Sequence, residues 1–367
     1  DRPELDRQAW SGPPRPTPAG SVANARWNKL CGYETSTRQL RWQIGGPPTG
    51  PADVFGGANF LGTPIFVDDL LFTIARRDDD LLLMALDQET GHLRWSVRLG
   101  ILAPHLADST LRRRVACPIT LVDGRLLCPT ASGTLAAVNL TTRSIDWAYR
   151  YPVLQHDLTP RPVNGSPTAV VPDVWWDEWR ETNCVATDDR LQVPSLGRME
   201  NAPPASPAII FVSPDSAQIH AVNRIDGSPL WSSPRAGGLY LAGIANDCAI
   251  VVESMAVRAH DVRSGHVRWR NETGEIAGRG AIAGKQFFQC CRTGGILIIN
   301  TADGSQQSVP PTPEIVAGTL VPSVDGWIIQ STQSVQRVPL LEAVRHRAEA
   351  ELIANPNQAL SIELARL

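Results

Sequence analysis

The chain has 367 residues, of which 43% are hydrophobic and 19% are charged, and it contains 29 glycines and 30 prolines. A formal net charge of −3 lacks the strongly basic surface that nucleic-acid binding requires, so nucleic acid is excluded as a partner. The sequence has no apolar run of about 18 residues, which excludes a transmembrane helix. The many turn-forming residues favour short strands over long helices.

The composition changes at both ends of the chain. Residues 1–26 are rich in proline and polar residues and are predicted to form a linker over the surface. The chain begins at Asp1, without Met or a signal peptide, so it is expected to be a processed or trimmed piece of a longer precursor. The predicted organisation is this linker, a β domain over residues 27–338 and a helical segment over residues 339–367.

One short pattern recurs along the chain: an apolar strand, a polar turn, an apolar residue and a tryptophan. A sixth copy, INTADGSQQSV over residues 299–309, lacks the tryptophan. The five tryptophans are Trp42, Trp95, Trp147, Trp231 and Trp269. Three of the four intervals between them have the length of one propeller blade, and the longer interval from Trp147 to Trp231 indicates one blade with an insertion.

The second repeat shows its strands most clearly, as apolar runs bounded by turn residues. The predicted strands are 64–67, 70–75, 81–86 and 93–97. Their short polar connections are typical of an antiparallel meander. Because one such sheet cannot bury both of its faces, the repeats must stack around an axis. Each recurring tryptophan is then predicted to fill the wedge between neighbouring blades, with its indole N–H bonded to a local acceptor.

The pattern A-x-D-x-x-T-G-x-x-x-W, best preserved over residues 85–95, resembles the tryptophan-docking repeat of PQQ-like propellers. That group includes quinoprotein dehydrogenases and BamB-type outer-membrane assembly factors. The resemblance covers roughly residues 28–338, and segments such as GTPIFVDDLLFTI also resemble large PQQ-like repeat proteins of planctomycete-type bacteria. It implies an all-β, PQQ-like β-propeller of four-stranded antiparallel blades. We expect six or seven blades, or eight if further sequence completes the ring.

The first and last repeats are incomplete. Residues 28–33 and 40–44 supply only two strands, and residues 319–338 supply further strands without a docking tryptophan. Pairing the first and last segments would remove open sheet edges. The sequence therefore predicts one composite blade.

A stretch at about 172–206 breaks the repeat and is predicted to be an insertion. It contains Trp175, Trp176, Trp179 and Arg180 close together. One interpretation is a capping loop whose aromatic side chains pack onto the propeller. The other is a partner contact, because aromatic residues and arginine are enriched in binding hot spots.

From residue 339 onward the apolar spacing becomes helical, with Leu340, Leu341, Val344 and Leu352 on one stripe. A second helix is predicted over residues 358–367. This pair is either the entry into a helical repeat or a helical extension that docks on the propeller.

The enzymatic alternative is a quinoprotein dehydrogenase, for which the resemblance implies PQQ and calcium in the central channel. Calcium requires about six to eight oxygen ligands, and the quinone requires a stacking aromatic and an Asp base. The sequence offers no such set. Cys290 and Cys291 resemble the vicinal disulfide of some alcohol dehydrogenases, but neighbours on a strand point to opposite faces, so a bond would require a strained turn.

The sequence therefore predicts no catalytic residue, no metal site and no cofactor; it also lacks the H-E-x-x-H and G-x-S-x-G motifs. The favoured function is a non-catalytic protein-binding scaffold in an extracytoplasmic or envelope-associated assembly, located in the periplasm or cell envelope. Other protein subunits would bind to the propeller faces, the insertion or the C-terminal helices. The alternatives are a PQQ- and calcium-dependent dehydrogenase-like or small-ligand-binding propeller, and a sensor in which a ligand repositions the C-terminal helices.

Overall fold

The computed structural model describes residues 27–50, 53–101, 117–154, 162–163, 166–170, 182–187, 207–309, 316–323, 326–331 and 333–339. The chain forms two compact units, Asp1–Val115 and Ala116–Leu367. Every regular element in the described ranges is a β-strand, and the sheets are antiparallel blades, as predicted. The predicted N-terminal linker lies outside the described residues, as do residues 340–367 of the predicted C-terminal helical segment.

The first unit contains two sheets. Blade 1 is a two-stranded sheet of β1 (Lys29–Tyr33) and β2 (Leu40–Gly45). Blade 2 has four strands in chain order, namely β3 (Asn59–Val67), β4 (Leu70–Arg77), β5 (Asp80–Asp87) and β6 (Leu93–Ile101). Both sheets contain only consecutive strands, as a meander requires.

The second unit continues the same arrangement. Blade 3 consists of β7 (Thr120–Val122), β8 (Arg125–Pro129), β9 (Thr134–Asn139) and β10 (Ser144–Arg150), and a hairpin of β11 (Pro162–Val163) and β12 (Ser166–Val170) follows it. Blade 4 consists of β13 (Asn183–Ala186), β14 (Ala208–Val212), β15 (Gln218–Asn223) and β16 (Pro229–Pro234). Blade 5 consists of β17 (Gly238–Ala245), β18 (Cys248–Glu253), β19 (Ala256–Asp261) and β20 (Val267–Glu272).

The last two blades of this unit bring the number of blades in the described residues to seven. Blade 6 consists of β21 (Ala281–Ala283), β22 (Gln286–Cys290), β23 (Ile296–Asn300) and β24 (Gln306–Val309). Blade 7 has three strands, β25 (Thr319–Ser323), β26 (Gly326–Gln330) and β27 (Val335–Pro339). Pro339, where the sequence predicted that the helical segment begins, instead ends β27.

The four strands predicted for the second repeat are all present, and the main difference lies at the start of β3. This strand begins at Asn59, five residues before the predicted start. Its pairing with β4 is interrupted by a register shift between Leu61 and Ile65 and continues on both sides of it. Gly62, with φ at +92°, lies inside this irregularity. A bulge accommodates the glycine and the following Pro64, at which the predicted strand began.

Blade 5 shows how the sheets bury both faces. Ile250 and Val252 pack in the core shared with blade 6, whereas Ala249 and Val251 pack in the core shared with blade 4. All six residues of β18 are buried, while the outer strand β20 alternates between exposed and half-buried positions. Two-sided burial explains why the second strands read as continuous apolar runs.

Candidate functional site

Three of the five recurring tryptophans make the same contact. In each, the indole N–H donates to a backbone carbonyl in a turn of the following blade. The N–O distances are 3.0 Å for Trp42 to Gln88, 2.9 Å for Trp231 to Val262 and 3.2 Å for Trp269 to Thr301. A left-handed glycine lies under each ring; a Cβ atom on Gly265 would be only 2.4 Å from a ring atom of Trp231. Glycine alone tolerates both that backbone conformation and this approach.

Trp147 and Trp95 differ from this arrangement. Trp147 covers Gly227 in the same way, but its buried indole nitrogen has no hydrogen-bond partner among the described residues. The ring of Trp95 meets the ring of Phe72 edge-on, with the centroids 5.5 Å apart. The contact between blades 3 and 4 therefore lacks one hydrogen bond that the other docking contacts of its unit have.

The candidate partner contacts Trp175, Trp176, Trp179 and Arg180 lie outside the described residues. The span of about 172–206, which the sequence marked as an insertion, also contains β13, the first strand of blade 4. Two connections therefore border β13. One joins blade 3 to blade 4, and the other joins the first two strands of blade 4.

The connection that follows blade 3 is held firmly where it begins. The backbone N–H of Leu154 donates to Asp215 O at 2.8 Å, and that of Tyr151 donates to Gly133 O at 2.9 Å. The Asp215 carboxylate accepts from Gly133 N at 2.9 Å and from the Tyr151 hydroxyl at 3.1 Å. Asp215, in the loop between β14 and β15, thus joins blade 4 to two segments at the end of blade 3.

The connection that follows β13 is held at both of its ends. Thr187 N donates to Ala208 O at 2.8 Å, and Ala208 N donates to the Thr187 hydroxyl at 2.9 Å. The Arg224 guanidinium donates to Thr187 O at 3.0 Å and pairs with Asp123 at 2.8 Å. The two residues that flank this connection, Thr187 and Ala208, are therefore hydrogen-bonded to each other.

His220 lies beside the Asp215 loop and is completely buried. Its Nε2 is 2.8 Å from Ser216 Oγ, its Nδ1 is 3.3 Å from the Tyr149 hydroxyl, and its ring stacks on Phe211 with the centroids 5.0 Å apart. Burial lowers the pKa of His220 to about 4, although the Asp215 carboxylate acts in the opposite direction. The imidazole is therefore neutral at pH 7.

Arg235 connects the same loop to blade 5. It is 1% exposed, and its guanidinium donates to Gly238 O at 2.7 Å, to Leu239 O at 2.6 Å and to Ser213 O. The Ser213 hydroxyl in turn donates to the Asp215 carboxylate. One buried cation therefore holds the start of β17 against the loop of blade 4.

A buried ion pair follows in blade 5. Glu253 forms an ion pair with Arg258 and accepts from Arg270 at 2.9 Å, and Arg258 also donates to Arg235 O. Glu253 and Arg258 are 8% and 7% exposed. Burial lowers the pKa of Arg258, and the Glu253 charge opposes that shift. Such a pair tolerates dehydration only when further hydrogen bonds support it, as the contact to Arg235 O does here.

Tyr240 carries the network to blade 6. Its hydroxyl donates to Gln289 Oε1 at 3.2 Å and accepts from Gly280 N at 2.8 Å, and burial raises its pKa. Most of these side chains lie at the ends of blades 3–6 where second strands turn into third strands and where one blade leads to the next. We call this set the polar belt; it comprises Tyr151, Ser213, Asp215, Ser216, His220, Arg235, Tyr240, Glu253, Arg258 and Gln289.

Sequence reasoning did not find the polar belt, although one signal was available. His220 and Arg258 occupy third strands, three residues before the residue that opens the docking turn. The equivalent residues of the other four-stranded blades are apolar, namely Met84, Ala136 and Leu297. A polar residue at a buried, otherwise apolar repeat position is unusual and is normally hydrogen-bonded to a partner.

Comparison with known families places the chain. A family model described as outer membrane protein assembly factor BamB matches residues 3–170 and 173–328. The chain belongs to this BamB family. The predicted kinship with PQQ-like, BamB-type propellers is thereby confirmed. No curated protein matches the sequence.

Several solved structures are similar to the chain at low sequence identity. BamB from Moraxella catarrhalis has a TM-score of 0.42 at 16% identity, over 84% of this chain and 90% of that one. Quinohemoprotein alcohol dehydrogenase ADHIIG from Pseudomonas putida HK5 has 0.49 at 12%, over 83% of this chain and 60% of the dehydrogenase. Sqt1 from Saccharomyces cerevisiae has 0.50 at 12%, over 86% and 80%. At such identities the likeness concerns the fold alone.

The vicinal cysteines of this BamB-family chain do not fit the quinone contact that the resemblance suggested. Cys290 packs in the core shared with blade 7, whereas Cys291 packs against the core shared with blade 5, and neither is in a disulfide. Within the described ranges, no three His, Cys, Asp or Glu side chains are grouped so as to hold a metal ion. The same ranges contain no helix with the length and apolar character needed to cross a membrane.

Proposed function

We propose that this chain is a non-catalytic protein-binding scaffold in an extracytoplasmic, envelope-associated assembly. The observation that carries the proposal is the family match, which extends over residues 3–170 and 173–328 and whose description is that of an outer membrane protein assembly factor. Location in the periplasm or cell envelope follows from the same kinship. The proposal assigns the chain no catalytic residue, metal or cofactor.

The packing of the polar belt supports a structural role for its reactive side chains. Ser216 and His220 are 1% and 0% exposed, and Ser213 is 0% exposed. Each also has a hydrogen-bond partner within the fold. Side chains that are used in this way stabilise blade junctions, because buried polar groups without partners are costly.

The candidate partner contacts remain Trp175, Trp176, Trp179 and Arg180, together with the propeller faces and the helical segment of residues 339–367. The residues where the chain enters and leaves these connections support this choice. Leu154 and Thr187 are hydrogen-bonded to blade 4, so the ends of both connections are already ordered. Fixed ends reduce the conformational entropy that a partner would have to remove on binding.

The proposal can be tested by isolating the tagged full-length protein from the envelope fraction of its source cells and measuring its mass by native mass spectrometry. We expect stoichiometric complexes with other proteins. Replacing Trp175, Trp176 and Trp179 together by Ala should weaken them at least tenfold. Ile225→Ala, at an exposed apolar position in a docking turn, is the matched control and should leave them intact. A protein that is monomeric in the envelope extract would contradict the proposal.

The dehydrogenase-like alternative makes a different prediction, which calorimetry separates from the first. PQQ together with calcium is titrated into the full chain. The scaffold proposal predicts no saturable heat. Binding tighter than about 1 μM, close to −8 kcal/mol, would favour a cofactor-binding propeller instead.

A further inference from the structure

The junction between blades 3 and 4 contains a histidine that the proposed function does not use. His220 lies on β15, and its ring faces Tyr149 and Tyr151 of blade 3 with centroid distances of 5.7 and 5.2 Å. The ring is 0% exposed. An ionisable group is thus enclosed between two blades.

A short loop connects His220 to the contacts that join the blades. Ser216, in the loop of residues 213–217, contacts His220 through its hydroxyl and also accepts from Gln218 N at 3.2 Å. The preceding residue, Asp215, holds Gly133 and Leu154 of the neighbouring blade. Protonation of the imidazole would therefore act on Ser216, and Ser216 is directly bonded in the chain to Asp215, which makes the contacts between the blades.

The groups around His220 cannot easily accommodate a positive charge. The loop contributes Ser216 and Asp215, the end of blade 3 contributes the hydroxyls of Tyr149 and Tyr151, and β14 contributes the ring of Phe211. The Asp215 oxygens already accept from Gly133 and Tyr151, and they lie in a loop that also receives the Arg235 cation through Ser213 O. A buried imidazolium would therefore lose its hydration without gaining enough new hydrogen bonds to compensate.

We propose that Ser216, His220 and Tyr149 form an acid-sensitive latch, in which protonation of His220 releases the loop of residues 213–217 from blade 3 while blade 6 stays folded. The device depends on the position of the histidine between two blades and on the loop that links it to Asp215. It goes beyond the scaffold function and does not depend on it.

The direction of the pH effect follows from linkage. The buried imidazole has a pKa of about 4, whereas a hydrated imidazole has a pKa of about 6.5, so the open state binds the proton more tightly. Contacts that are intact above pH 6.5 therefore weaken as the pH falls towards 4. At pH 4.5 the ratio of open to closed junctions should be roughly 10²-fold higher than at pH 7.5.

Hydrogen exchange of the full chain tests the latch at pH 7.5 and pH 4.5, after correction for the intrinsic pH dependence of amide exchange. The reporters are the amides of Gly133 and Leu154, which donate to Asp215. We expect their protection to fall by roughly 10²-fold at pH 4.5, while the amides of β23 in blade 6, whose strands contain no histidine, keep theirs. Unchanged protection at Gly133 and Leu154 would overturn the proposal.

Two variants show whether His220 is responsible. His220→Gln retains a polar atom for Ser216 but cannot be protonated, so its reporter amides should not respond to acid. His260→Gln is the matched control, because His260 is also fully buried, on β19, with Nδ1 2.9 Å from Gly265 O. This control should respond like the wild type. An acid response in His220→Gln equal to that of the wild type would overturn the proposal.

If His220→Gln does not fold, the imidazole resonances of the wild-type chain provide the test by NMR. His220 should titrate close to pH 4, and the Gly133 and Leu154 amides should lose protection progressively as the pH falls from 6.5 to 4. A titration near pH 6.5 without any change in these amides would be evidence against the latch.

Discussion

The two ends of the third strands in blades 4 and 5 are built differently. At the docking end, Gly227 and Gly265 each adopt a left-handed conformation and lie beneath the tryptophan of the preceding blade. At the belt end, the side-chain contacts differ from blade to blade: Asp215 binds blade 3, whereas Arg235 binds the start of blade 5. The repeated end sets how one blade meets the next, and the belt end gives each junction its own chemistry. Single substitutions at the two ends test this contrast.

The belt end should be the more sensitive to loss of a single side chain. Arg235→Ala removes a buried guanidinium that donates to the carbonyl oxygens of Ser213, Gly238 and Leu239, so we expect a loss of about 3–5 kcal/mol in the free energy of unfolding. Equilibrium unfolding in urea measures it. Arg263→Ala, at an exposed position of a docking turn, is the control and should change stability by less than about 0.5 kcal/mol. Equal losses of stability in the two variants would contradict the greater sensitivity of the belt end.

At the docking end, a larger residue in place of the glycine beneath the tryptophan should destabilise the protein. Gly265→Ala places a Cβ 2.4 Å from the ring of Trp231 at a φ of +73°, and we expect it to cost about 3 kcal/mol in thermal or urea unfolding. Gly274→Ala has a similar φ of +70° but no heavy atom within 4 Å of the added carbon. Its free energy of unfolding should fall only by the roughly 1–2 kcal/mol that a left-handed backbone conformation costs an alanine. If both variants lose the same amount, steric contact with the indole is not what requires glycine.

The docking contacts should also differ from one another. Trp231→Phe removes the hydrogen bond to Val262 O, whereas Trp147→Phe removes a buried N–H that has no described partner. We therefore expect Trp231→Phe to be the more destabilising by about 1 kcal/mol in matched urea unfolding curves. The reverse order would show that the Trp147 nitrogen has an acceptor in solution.

The smallest effect concerns two alanines that adopt a left-handed conformation at the belt end. Ala131 and Ala236 both have a φ of +47°. Ala236→Gly should raise the free energy of unfolding by about 0.5–1 kcal/mol, because the relief of strain exceeds the entropy that glycine adds to the unfolded chain. Ala302→Gly, in a docking turn and outside the left-handed region, should instead lower it by up to about 1 kcal/mol. Differential scanning calorimetry distinguishes the two signs.

Much of the blade structure could be read from the sequence, and particular strands show the limits. The four strands of blade 2 were predicted because apolar runs and turn residues are local signals. β13 was missed because Asn183–Ala186 is only four residues long and lies in a stretch without the repeat. The candidate partner contacts and the composite blade stay predictions. The polar belt was not predicted because its members interact across large sequence separations, as Tyr151 and Asp215 do.

The sequence by itself determined the all-β repeat, the turns and the tryptophans that cover them, since alternation, turn chemistry and the need to bury a large ring operate within one repeat. Only the tertiary structure decided which polar side chains meet. It placed His220 against Tyr149 and Arg235 against Ser213. These contacts depend on how neighbouring blades stack, and stacking brings together residues that no local pattern relates.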